Sequence, residues 1–254
     1  MDDSMGDSLL GRMRNVLNYL IRPIGFEVVR THRWDEPRTY IPFKPTLAGA
    51  KKAGLSVGDY IDKTHNVLGV TQETMEQMQR LGVFDHTIDR VCEIGPGSGR
   101  YLEKTLTYCR PSHYEIYETA QDWAQWLIRQ YPVVLRPTDG NSLSSTQSAS
   151  VDLLQAHKVF SVTPFLTTMR YLTECVRVLR SGGKLVFDLI TDECMDDPAL
   201  ERWMATGPLA GTFPSVVSRQ YAIQFFSTRG FRLDGEFRVA YMPGTSNYFV
   251  FTKF

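Results

Sequence analysis

Val91-Cys92-Glu93-Ile94-Gly95-Pro96-Gly97-Ser98-Gly99-Arg100, followed by Tyr101-Leu102-Glu103-Lys104, decides how the rest of the chain is read. A short apolar run ends in an acid and three alternating glycines, then turns into a helical pattern. That order predicts a first β-strand delivering the backbone into a tight turn able to cradle a nucleotide. A loop that bends sharply and lets a ligand touch its backbone cannot carry Cβ atoms at the contact points. Gly95 and Gly97 are therefore expected to allow close approach. Gly99 is expected to let the next helix pack closely on the strand.

A glycine-rich loop after a strand also describes the dinucleotide fingerprint G-x-G-x-x-G. Here the last glycine comes one residue early, and Glu93 stands two residues before the first. The pattern Glu93-x-Gly95-x-Gly97-x-Gly99 resembles the first motif of the class I S-adenosylmethionine-dependent methyltransferases. That family places an acid at the end of its second strand to take the two ribose hydroxyls. His113-Tyr114-Glu115-Ile116-Tyr117-Glu118 is a strand-like run ending in an acid, and a carboxylate presents two acceptor oxygens to a vicinal diol. A nicotinamide-binding or ligand-free Rossmann-like domain is the rival reading.

At 254 residues the chain has room for one large α/β domain with an N-terminal addition. Lys plus Arg and Asp plus Glu number 28 each, so no global field attracts nucleic acid or an anionic membrane. The four cysteines, Cys92, Cys109, Cys175 and Cys194, have neither metal-site spacing nor a disulfide framework. Cys92 and Cys175 read as ordinary buried small residues. No apolar run approaches the length of a membrane span, and Asp2, Asp3 and Asp7 stand where a secretory signal would be basic. The expected location is the cytoplasm.

From Ser8 to Ile21 apolar residues recur with a helical period, stopped by Pro23 and Gly25. Such a helix packs on the domain or against a second copy of the chain; an interfacial membrane helix is the alternative. Residues 26–30 read as a short strand and residues 31–49 as an irregular arm. Ser56 to Arg80 suggests two short helices broken near Leu68-Gly69. Beyond the first strand, strands at 113–118, 133–138, 151–155 and 185–189 alternate with helices at 120–130 and 167–179, which implies a parallel sheet covered on both faces. A helix over 215–228 is followed by strand-like runs at 230–233, 235–241 and 248–252 around a turn at Pro243-Gly244-Thr245; strands joined by a short loop run antiparallel. The expected fold is thus a Rossmann-like seven-stranded, mostly parallel sheet with an antiparallel last strand and helices on both faces. The resemblance implies that residues 1–84 form a helical extension and lid, and 85–254 the cofactor-binding domain. Such a reversed last strand is what the methyltransferase family has.

Ligands of open α/β sheets bind outside the carboxyl ends of the strands. The resemblance therefore implies S-adenosylmethionine held by Glu93, Gly95, Pro96, Gly97 and Gly99, by Glu118 with Thr119, and by Asp139-Gly140 at the adenine edge, with Gln155 at the end of strand four. Asp139-Gly140 is equally an ordinary turn pair. The methyl acceptor is expected after strand four, at Gln155-Ala156-His157-Lys158. The N/D-P-P-Y/F motif of amide and adenine N-methylation and the Pro-Cys of cytosine enzymes are absent there. His157, with an ordinary pKa near 6.5, suits a general base for a hydroxyl acceptor.

Tyr60 in the lid and Asp188 in strand five are further candidates for substrate contact. Asp188, Asp192, Glu193, Asp196 and Asp197 read as a solvated acidic loop, with magnesium binding as the alternative. Trp203, Phe213 and Phe225 are candidate acceptor walls, whereas Trp123 and Trp126 fall on a core face. The expected reaction is O-methylation of a small polar molecule, with a sugar, glycan or glycoside favoured over a natural product or small amine. A SAM-binding subunit without transfer activity and a nicotinamide oxidoreductase are the rivals from other classes. The partners expected are the small acceptor and a second copy of the chain, with no nucleic acid.

Overall fold

The structure is a computed structural model that describes residues 16–21, 23, 41–206 and 214–254. The chain divides into two units, residues 1–37 and 38–254. In the first, residues 16–21 are helical; the expected strand at 26–30, the start of the expected first helix, most of the 31–49 arm and Phe213 lie outside the described residues.

In the second unit three helices, α1 (Phe43–Ala53), α2 (Val57–His65) and α3 (Val70–Arg80), precede the sheet. Then follow β1 (Arg90–Ile94), α4 (Arg100–Cys109), β2 (His113–Tyr117), α5 (Gln121–Gln130), β3 (Val134–Leu135), β4 (Val151–Ala156), α6 (Phe165–Val178) and β5 (Leu179–Thr191). After a 3₁₀ turn (Asp192–Cys194) come α7 (Asp197–Thr206), β6 (Val216–Val217), α8 (Arg219–Ser227), β7 (Phe231–Tyr241) and β8 (Gly244–Lys253). The strand order is β3-β2-β1-β4-β5-β8-β7. Strands β1 to β5 pair in parallel, and β8 enters antiparallel between β5 and β7. The reversed last strand is as expected.

Several expectations need correction. The sheet has an eighth, two-residue strand, because β6 pairs with the end of β5; the expected 215–228 helix thus starts only at Arg219. The arm is not irregular throughout, since α1 begins at Phe43. Strand three shrinks to Val134–Leu135, flanked by Pro132 and Pro137, which have no N–H for a ladder. Strand five, expected at 185–189, already starts at Leu179, and residues 180–184 form a bulge in it, where the register with β4 shifts between Val151 and Leu153.

Alternation along the strands splits the core into two layers. Cys92, Ile94, Leu154, Leu185, Phe187, Phe249 and Phe251 meet α6 and α8 on one face. Val91, Tyr114, Ile116, Leu153, Val186, Tyr248 and Val250 meet α3 and α4 on the other. Phe187 is fully buried, with the rings of Phe160, Phe226, Phe249 and Phe251 at centroid distances of 5.5 to 6.1 Å. Phe187→Ala is expected to cost about 3–5 kcal/mol in urea unfolding; a loss under about 1 kcal/mol would place the core elsewhere.

Candidate active site

The loop after β1 has its three glycines at φ +61° (Gly95), +53° (Gly97) and +75° (Gly99), a region that costs other residues roughly 1–2 kcal/mol. Their jobs differ from the expected ones at two positions. A Cβ on Gly95 would lie 2.7 Å from Val159 and one on Gly99 2.6 Å from Leu127 of α5. Both glycines thus serve packing inside the protein, against neighbours other than those foreseen. A Cβ on Gly97 would meet nothing within 4 Å. That open side is the place where a ligand can approach the backbone.

Glu118 closes the same loop from β2. One carboxylate oxygen accepts Gly97 N–H at 2.7 Å and the other accepts Ala120 N–H at 2.8 Å. Burial pushes its carboxyl up, and the N–H donors of Ala120, Gly97 and Thr119 pull it back. Each oxygen retains a second lone pair, so the pair still fits the vicinal hydroxyls of a ribose. Together with the open side of Gly97, this makes the loop fit an adenosyl ligand. Thr119 is exposed beside it.

Glu93 and Gln155 are turned into the protein. Glu93 shares the face of Val91 and accepts the Tyr114 hydroxyl; Gln155 Nε2 donates to Tyr114 Oη at 2.9 Å and to Thr105 Oγ1 at 3.1 Å. Desolvation pushes the Glu93 carboxyl up to about 7, against the hydrogen bonds of Tyr114 and Gln155. These side chains brace the loop from beneath α4. Asp139 is exposed and spends its carboxylate on Asn141 N–H, Ser142 N–H and the Ser142 hydroxyl at 2.8 to 2.9 Å, which hold its pKa low. It shapes the turn that carries Gly140 to within 3.8 Å of Thr119, measured from an added Cβ. The loops after β2 and β3 therefore converge.

His157 directly follows β4 and is buried. Its ring stacks on Tyr101, the second residue of α4, at 4.0 Å and 10°, one residue pair from Gly99. Nδ1 lies 3.2 Å from Tyr248 Oη, while Nε2 is buried without a hydrogen-bond partner. Desolvation, then Lys158 and Arg100, hold its pKa well below 6.5. The imidazole is neutral at physiological pH.

Asp188 is fully buried. It accepts Lys158 N–H at 2.6 Å and stands 3.4 Å from Lys158 Nζ. Lys158 has φ +61°, so the carboxylate fixes a strained backbone step directly after His157. Lys158 Nζ also donates to Ser246 Oγ at 2.6 Å and lies about 5 Å over the rings of Tyr241 and Tyr248. Tyr60 is elsewhere: a Cβ on Gly49 of α1 would fall 2.2 Å from its hydroxyl, so it packs between α1 and α2. Trp203 stacks on Tyr241 at 6.3 Å, beside this cluster, whereas Phe225 belongs to the opposite core layer. Lys158 was foreseen only as part of the group after strand four, and Tyr101, Tyr241 and Tyr248 were not foreseen. Only the register Asp188 to Tyr248 brings the last strand here, and sequence carries no signal for it. Among the described residues no cluster of acids, His and Cys could hold a metal ion, and no helix is long and apolar enough to cross a membrane.

A family model described as a methyltransferase domain matches residues 92–187. No curated protein matches the chain by sequence. Among solved structures, the chain is similar to the N-methyltransferase NodS from Bradyrhizobium japonicum in complex with S-adenosyl-L-homocysteine, at TM-score 0.52 and 18% identity over 72% of this chain and 87% of that one. An O-methyltransferase family protein from Burkholderia thailandensis aligns at TM-score 0.57 and 15% identity over 95% and 70%. The methyltransferase bound to the activator Trm112 from Haloferax volcanii aligns at 0.56 and 14% over 81% and 94%.

The roles of Gly99 and Gly97 separate in experiment. Gly99→Ala is expected to lose roughly 2–4 kcal/mol of stability, from strain and overpacking together. Gly97→Ala is expected to lose only the roughly 1–2 kcal/mol of backbone strain but to abolish detectable S-adenosylhomocysteine binding by calorimetry. Normal binding by Gly97→Ala would refute the cradle.

Proposed function

We propose that this chain, a class I S-adenosylmethionine-dependent methyltransferase, methylates a hydroxyl of a small polar acceptor, a sugar, glycan or glycoside being favoured, with His157 as general base. The observation that carries this reading is the orphaned, buried Nε2 of a neutral imidazole one ring stack from the cofactor loop. Bound S-adenosylmethionine supplies an electrophilic methyl group whose leaving group is a neutral thioether.

The chain's own residues then have to bind, orient and take one proton. In this reading Glu118, Thr119, Gly140 and the Gly95–Gly99 loop hold the cofactor, and α1 to α3 serve as its lid. Fixing the two reactants in line is worth up to roughly 7–11 kcal/mol in the best cases. His157 Nε2 accepts the hydroxyl proton as the carbon–oxygen bond forms. Lys158 and Arg100 oppose charge on the ring, so the base is weak. A weak base suffices when the proton leaves late, after bond formation has made the oxygen acidic. Asp188 supports the reaction through Lys158, by holding the step that follows His157.

A second reading has an amine acceptor. Its support is the same pair of cations, which would keep a neighbouring amine unprotonated and nucleophilic. Paired panels of hydroxyl and amine acceptors, assayed for methyl incorporation, separate the two.

His157→Ala is expected to lower kcat by about 10²–10⁴-fold while S-adenosylhomocysteine affinity stays within about twofold. In the wild type kcat/KM is expected to stay flat as pH falls through 6.5 and to drop only below it, because the base is protonated only there. Retained turnover in the variant, or an acid limb above 6.5, would remove His157 from the chemistry.

A further inference from the structure

We propose that Asp62 and Arg100 are positioning residues that latch α2 onto the start of the cofactor loop's helix, so that cofactor affinity depends on α2 being docked. Arg100 directly follows Gly99, and its Nη1 donates to Asp62 Oδ1 at 2.5 Å. The two side chains are 11% and 6% exposed, which makes this a buried pair rather than a surface one. Asp62 also accepts Thr71 N–H at 3.2 Å and the Thr71 hydroxyl at 2.8 Å, so one carboxylate gathers α2, the start of α3 and the start of α4.

A second contact marks the same docking face. Gly58 lies one turn before Asp62, and a Cβ there would stand 3.2 Å from Arg100 Cβ. On the other side, the guanidinium lies 5.0 Å over the Tyr101 ring, and Tyr101 stacks on His157. Arg100 thus touches the lid, the loop and the ring stack at once.

α2 packs on α1 through Tyr60, but few side chains tie it to the core. Of its nine residues, Ile61 and Asp62 are the buried ones. The helix is bounded by Gly54 and Gly69, both at positive φ with open space around them, which suits them as joints. A short helix with one buried apolar side chain, with a glycine joint on either side, owes its hold on the start of α4 largely to the ion pair. Removing one partner leaves the other buried and unpaired, which strongly favours the undocked state. The apparent cofactor affinity then falls by the fraction of molecules that remain docked.

The inference rests on the loop being the cofactor site, and wild-type binding of S-adenosylhomocysteine tests that premise separately. The test of the latch is calorimetric titration of the full chain with S-adenosylhomocysteine, together with tryptic cleavage at Lys63, for Asp62→Asn, Arg100→Gln, the double variant and Gly58→Leu. Each single variant is expected to weaken binding roughly tenfold or more. The double variant is expected to be little worse than either single one, because both remove the same interaction. Cleavage at Lys63 should quicken in the variants and no longer be slowed by the ligand. Gly58→Leu leaves both charges in place and should reproduce these effects even where loss of a charge impairs folding. Affinity within about twofold of wild type in Asp62→Asn, additive losses in the double variant, or tight binding with protected Lys63 in Gly58→Leu would each overturn the latch.

Discussion

The carboxylate of Glu118 is the point on which the site closes. It accepts one N–H from the loop after β1 and one from the start of α5, so two strand ends and a helix are tied by a single buried acid. The acid costs free energy to bury, and the loop conformation it holds puts Gly97 at a positive φ that favours glycine. Neither is useful to the fold for its own sake. Both make sense as preparation of a concave backbone surface that a ribose can complete.

The acceptor side follows another logic. There the charges are paired off before any substrate arrives: Lys158 with Asp188, Arg100 with Asp62. The neutral ring nitrogen Nε2 of His157 is buried there without a hydrogen-bond partner. A displacement with a good leaving group asks for orientation more than for acid or base strength. The weak base proposed here, His157 between Tyr101 and Tyr248, is consistent with that requirement.

Much of the fold was legible because its signals are local. The strand, the alternating glycines and the helical pattern from Val91 to Lys104 lie within one window, and Glu118 ends the next apolar run. Helix α1 was missed because its buried residues, Thr46 and Ala50, are small and leave no apolar period; its Pro45 sits in the first turn, where a proline is tolerated. Glu93 was assigned to the ligand, but strand alternation places it with Val91 on the face covered by α4. The latch and the Lys158 cluster join residues 38 to 91 positions apart, and no local pattern announces such pairs. The positive φ of Lys158 is likewise invisible, since only glycine would have signalled it.

The central claim is that Glu118 and the glycine loop form the S-adenosylmethionine site. Its most direct test is calorimetric titration with S-adenosylhomocysteine of the wild type and of Glu118→Ala, with both shown to be folded by circular dichroism. Tight binding by the wild type that is lost in a folded variant is the expected result. No binding by the wild type, or equal binding by both, would contradict the claim.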